Sequence, residues 1–131
     1  MFMKRKIILI IVLVALVAGF QSCIETPSFD ADLLIGKWSR PSPFATPEYP
    51  GDEYYRYDEG GLGVTWDTSD DVAEEEAQKF TWSVNGSRLT LVHEIEMGGS
   101  VTKIYTLSTL SFDKLIYKDE YGKVYTFQKV Q

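Results

Sequence analysis

The 131-residue chain contains one histidine and one cysteine, so any chemistry that needs imidazole or thiolate rests on His93 and Cys23. His93 falls in the alternating set Leu89, Leu91, His93, Ile95 and Met97, which turns to one face of a strand while Arg88, Thr90, Glu94 and Glu96 turn to the other. An inward histidine can be a polar handle in a ligand pocket, a general base, or a hydrogen-bonded core residue, and the last is the commonest fate of a buried polar group. One histidine with one cysteine supplies too few nitrogen and sulfur ligands for zinc. No serine stands in a nucleophile-elbow motif.

The acidic segment Asp67, Ser69, Asp70, Asp71, Glu74, Glu75 and Glu76 invites a calcium reading. A loop of the EF-hand kind started at Asp67 needs glycine at its sixth place and glutamate at its twelfth, where Val72 and Gln78 stand. A solvated helix face is the better account. Glu94 and Glu96 share one outward face, whereas the carboxylates of a glycosidase converge across a cleft. No reaction, metal or cofactor is therefore expected, and the chain reads as a non-enzyme.

Aromatics are the remaining resource, with eight tyrosines, three tryptophans and seven phenylalanines. They are ordinary filling for a small β core. The functional alternative is an aromatic cavity lined by Tyr57, Trp66, Trp82, Tyr105 and Tyr117 together with His93, all on apparent inward faces and several with polar tips that can orient an amphipathic ligand.

Positioning such a set requires a sheet. Short alternating runs predict eight strands at 34–40, 53–58, 62–66, 79–84, 88–96, 101–108, 112–118 and 123–130. Glu59-Gly60-Gly61, Asn85-Gly86, Gly98-Gly99 and Tyr121-Gly122 supply the turns between them. Phe80, Trp82 and Val84 share a face, as do Leu62, Val64 and Trp66, and Tyr55 with Tyr57. Pro41, Pro43, Pro47 and Pro50 break pairing over 41–51 and predict a loop at one end. Asp71 ahead of Glu74 predicts a helical turn or two within 68–78, after the third strand. The expected fold is all-β: an eight-stranded antiparallel up-and-down barrel, closed so that no edge is exposed. A sandwich of the same strands would show the same alternation.

The leader is legible separately. Lys4-Arg5-Lys6 precede an apolar stretch over 7–20, whose fourteen residues are fewer than the roughly 17 to 25 needed to span a bilayer. Ala15, Ala18, Gly19 and Ser22 then lead into Cys23. The arrangement resembles a lipoprotein signal cut before a diacylated cysteine, with Phe20, Gln21 and Ser22 in the box; the alternative is an ordinary secretory signal with a spare thiol. The expected organisation is a signal peptide over 1–22, a lipidated tether over 23–32 beginning at Cys23, and one domain over 33–131. Loss of Lys4, Arg5 and Lys6 takes the net charge from −6 to −9, which argues against nucleic acid and anionic lipid headgroups as partners.

Gly36-Lys37-Trp38 on the first strand of an eight-stranded meander resembles the lipocalin signature, and 31–131 resembles the lipocalin-like lipoproteins of Bacteroides-type bacteria. The resemblance implies a Gly36 that allows close packing and a Trp38 that plugs the closed end of the barrel. Lipocalins commonly lay an arginine from near the last strand over that tryptophan. No arginine follows Arg88, which leaves Lys123 or Lys129 for the place, without the planar guanidinium. The expected function is a non-catalytic, membrane-anchored protein of the Gram-negative envelope, on either face of the outer membrane, with a small apolar or amphipathic ligand in its barrel. The rival is a filled barrel that engages a partner protein through the loop around Phe44 and Tyr49.

Overall fold

The computed structural model describes residues 28–131; the expected signal peptide over 1–22 and the expected lipidation site Cys23 lie outside the described residues. Eight strands run β1 (Gly36–Pro41), β2 (Asp52–Asp58), β3 (Leu62–Asp67), β4 (Gln78–Asn85), β5 (Arg88–Glu94), β6 (Ser100–Leu110), β7 (Lys114–Lys118) and β8 (Val124–Lys129). Each pairs antiparallel with its sequence neighbour, and β8 returns to β1 through Trp38 opposite Lys129 and Ser39 opposite Gln128. This is the expected up-and-down barrel, not a sandwich. The reversal at Gly86, with φ of +62°, lets β4 and β5 turn back within two residues.

Alternation sets the interior. Trp38 and Tyr55 are opposed, as are Phe80 and His93, Leu89 and Tyr105, and Leu115 and Phe127. These side chains except His93, with Leu34, Tyr57, Leu91, Leu107 and Tyr117, form one contiguous buried cluster. A bulge in β6 between Leu107 and Thr109 shifts the register against β7, so Leu107 opposes Tyr117 and Leu110 opposes Leu115. Both leucines thus pack inward despite their spacing of three.

Three expectations are corrected. The strand at 88–96 ends at Glu94, because the backbone bonds Ile95 N–H to Gly99 O and Gly98 N–H to Ile95 O start the hairpin there. Ile95 and Met97 are consequently 42 % and 96 % exposed rather than inward. The helical turns expected within 68–78 are present as two short 3-10 turns, but Asp71 does not start them. It ends the 3-10 turn Thr68–Asp70 in a left-handed conformation with φ of +58°, and a second 3-10 turn covers Glu74–Glu76. The packed domain also begins ahead of position 33, since Phe29 lies against the core and the 3-10 turn Ala31–Leu34 buries Leu34 completely.

That turn leads into the end where β1 starts. Trp38 donates from Nε1 to the Leu34 carbonyl at 2.8 Å and is fully buried. Lys129 lies 4.6 Å over its ring and donates to the Ile35 carbonyl at 2.6 Å. Of the two candidate lysines, Lys129 therefore stands over Trp38, while Lys123 lies 5.2 Å from Tyr125. Gly36 makes room for this contact: a Cβ there would stand 2.5 Å from Lys129 Nζ.

Candidate functional site

The end opposite the Ala31–Leu34 turn gathers four connections: 42–51, 68–77, 95–99 and 119–123. Below them the interior changes from apolar to charged, again by a period of two. Arg40 follows Trp38, Glu53 precedes Tyr55, and Lys103 precedes Tyr105 on the inward faces of their strands. Arg40 and Glu53 are opposed on β1 and β2 and pair at 3.3 Å. The Arg40 guanidinium lies 4.9 Å from the Tyr125 ring and 5.5 Å from the Phe127 ring, forming a lid on the aromatic core.

Past this lid a cleft of about 410 Å³ opens, walled by Phe44, Tyr55, Thr65, Gln78 and His93 and rimmed by carboxylates. It sits where β3 and β4 part, since their pairing stops at Thr65 opposite Gln78 and the 68–77 connection leaves from there. His93 is 8 % exposed, with Phe80 at 5.5 Å and Tyr55 edge-on at 6.2 Å. Burial, helped by the charge of Lys103, pushes its imidazole down to about 4, so the ring is neutral near pH 7. Its Nε2 is buried without a hydrogen-bond partner.

One wall is fixed by Asp67. Ser42 donates to one of its oxygens at 2.6 Å, and the Ser69 amide and hydroxyl donate to the other at 2.9 and 2.6 Å. Burial pushes the Asp67 carboxyl up, but the bonds from Ser42 and Ser69 outweigh it and hold the group below its ordinary value. The proline-rich connection is thereby tied to the end of β3. A second cleft of about 270 Å³ lies beside the first, lined by Tyr105, Tyr121, Tyr125 and Asp119, and Lys103 borders both. Burial pushes the Tyr105 hydroxyl up to about 12.

The six residues expected to line one cavity are distributed over the barrel. His93 is in the first cleft and Tyr105 in the second. Tyr57 and Tyr117 are each 1 % exposed inside the core, and burial raises both hydroxyls well above their ordinary value. They are core filling, not lining. Trp82 belongs to the other end, where Nε1 donates to the carbonyls of Leu62 and Asp58 at 2.8 and 3.1 Å. Trp66 faces outward and only borders the cleft: it opposes Tyr54, with the rings parallel at 5.0 Å. Lys37 lies over the Trp66 ring at 5.4 Å, and the 68–77 connection is held on this outer wall by Glu74, which accepts from Lys37 at 3.0 Å and Arg56 at 2.9 Å. Leu62 and Val64 share that outer face with Trp66. Arg40, Glu53 and Lys103 are the site residues that the sequence reading did not single out, although the alternation through Trp38, Tyr55 and Tyr105 carried the signal.

No family model matches the chain, and no curated protein matches it. Among solved structures, it is similar to the crystal structure of a lipocalin-like protein from Bacteroides thetaiotaomicron, with a TM-score of 0.52 and 19 % identity, over 74 % of this chain and 96 % of that one. That likeness concerns the fold, and the fold is lipocalin-like.

Proposed function

We propose that this chain is a non-catalytic, lipid-anchored binding protein of the cell envelope that holds a small amphipathic ligand at the mouth of its barrel. The observation that carries the reading is the division of the interior. Aromatic and aliphatic side chains occupy it from Trp38 to Phe127, and above the Arg40–Glu53 pair it gives way to the cleft of about 410 Å³, within the usual range of roughly 300 to 1,000 Å³ for ligand sites. This division supports a ligand at the mouth rather than deep among Tyr57 and Tyr117. A general base should titrate near the working pH. An imidazole held near 4 is better suited to hydrogen bonding than to proton abstraction. The chain enters β1 at the far end, so an acyl anchor on Cys23 would leave the mouth turned from the bilayer.

The test is native mass spectrometry of the purified chain after exposure to a lipid and metabolite extract. A discrete retained mass, lost in His93→Phe and kept in Trp82→Phe, supports a mouth site; retention that depends on Trp82 instead refutes it. A second reading draws on Phe44 and Tyr49 in the proline-rich connection, 70 % and 66 % exposed, and Met97 and Tyr121 on neighbouring tips, 96 % and 93 % exposed. Apolar tips ringed around one end suit a protein partner. Bare spectra together with partner binding that fails in a Phe44→Ser, Tyr49→Ser variant would favour it.

A further inference from the structure

The mouth carries more chemistry than a generic amphipathic site needs. Glu53, Asp67, Asp70, Glu76 and Glu96 border the larger cleft, against Lys103 as its one lining cation. Glu53 is paired with Arg40 and Asp67 is held by serines, but Asp70, Glu76 and Glu96 are exposed and make no ion pair among the described residues. Glu76 and Glu96 also border an adjoining cleft with Glu94. Carboxylates focused on a concave wall raise the local concentration of cations and repel anions.

Independently, His93 lies in this cleft more than nine-tenths buried, with Nε2 lacking a partner. A buried polar group left without a bond costs free energy, so this ring is a polar feature that a ligand can use. The carboxylates do not converge: among the described residues no three His, Cys, Asp or Glu side chains could hold a metal ion. Charge spread along a rim, with Phe44 and Tyr55 between, suits a larger and more weakly hydrated cation.

Resting on the mouth-site reading above, we infer that the ligand of this cleft is an organic monocation, an amine, guanidine or quaternary ammonium with a short apolar or aromatic body. The body lies against Phe44 and Tyr55 beside His93, and the cationic head lies toward Asp70, Glu76 and Glu96. Lys103, which lines the same cleft, disfavours a second positive charge on the ligand.

The experiment compares three probes with the same body, phenethylammonium, phenethyl alcohol and hydrocinnamate, by calorimetric titration of the full chain in lipid nanodiscs. Phenethylammonium should bind roughly tenfold more tightly than the alcohol, and hydrocinnamate more weakly than either. The preference should shrink with salt and disappear in Glu76→Gln, Glu96→Gln, whose exposed side chains have no packing role. Lys103→Met should strengthen the cation and weaken hydrocinnamate further, while His93→Phe should weaken all three. Equal affinities overturn the charge inference and leave the mouth site standing; tighter hydrocinnamate overturns it in favour of Lys103 as an anion anchor. Failure of all three to bind overturns the mouth site itself.

Discussion

Replacing Gly36 by alanine tests how the β1–β8 seam is closed. The new methyl would stand 2.5 Å from Lys129 Nζ and 2.6 Å from its Cε, at a backbone φ of +128°. Lys129 must leave, forfeiting its bond to the Ile35 carbonyl and its place over Trp38. A charge-assisted hydrogen bond with a partly exposed cation–π contact contributes about 2–3 kcal/mol, and a side chain in that backbone region adds about 1–3 kcal/mol of strain. Gly36→Ala should therefore cost about 3–6 kcal/mol, and Lys129→Ala about 2–3 kcal/mol. The two costs share one cause. Once alanine has evicted Lys129, truncating the lysine removes nothing more, so the double variant should be no less stable than Gly36→Ala alone. A double-mutant cycle by urea denaturation should show sub-additivity of about 2 kcal/mol or more. Costs that add within about 0.5 kcal/mol would refute the coupling and with it the role of Lys129 over Trp38.

Phe127, 1 % exposed with Tyr55 and Tyr117 at 5.6 and 5.5 Å, should cost about 3–5 kcal/mol as Phe127→Ala in denaturant titrations. Phe44→Ala, at a 70 % exposed site, should stay within about 0.5 kcal/mol while weakening ligand at the mouth. Because His93 is pushed down to about 4 from an unfolded value of about 6.5, its contribution to stability is complete above pH 6.5 and is lost as pH falls through 4. The acid limb of a stability–pH curve should flatten in His93→Phe by roughly 2 kcal/mol, allowing for the ring's remaining solvent contact; overlapping curves for the two proteins would contradict the neutral, buried imidazole. Glu74→Gln breaks the bonds to Lys37 and Arg56. It should cost at most about 1 kcal/mol, but acrylamide should quench Trp66 more readily as the 68–77 connection loosens, an effect that high salt reproduces in the parent chain.

The barrel was legible in the sequence because a strand's period of two and a glycine-bearing turn are both local properties. Phe80, Leu89, Leu91 and His93 sit on the inside where the alternation put them, and the strand boundaries fall within a few residues of those expected. Alternation also places Arg40 and Glu53 inside, two residues from Trp38 and Tyr55. What alternation cannot say is which face of a strand is covered by something other than the core. Trp66 is buried like a core residue, yet the 68–77 connection and Tyr54 bury it on the outer wall. Such folding-back depends on Glu74 meeting Lys37 and Arg56 across 37 and 18 residues of chain.

The six candidate lining residues separated for the same reason. Height along the barrel axis follows from register and from the bulge in β6, both properties of paired strands. Facing inward did not distinguish Tyr57 in the packed core from His93 at the mouth, or Trp82 at the opposite end from either. The sequence by itself determined an eight-stranded sheet, the inward residues of strands such as β4 and β5 up to His93, and the acidity of its loops. Only the tertiary structure decided that the sheet closes, that the aromatic core fills up to Arg40 and Glu53, and that Asp70, Glu76 and Glu96 share one cleft with His93, because each depends on strands distant in the chain coming into register.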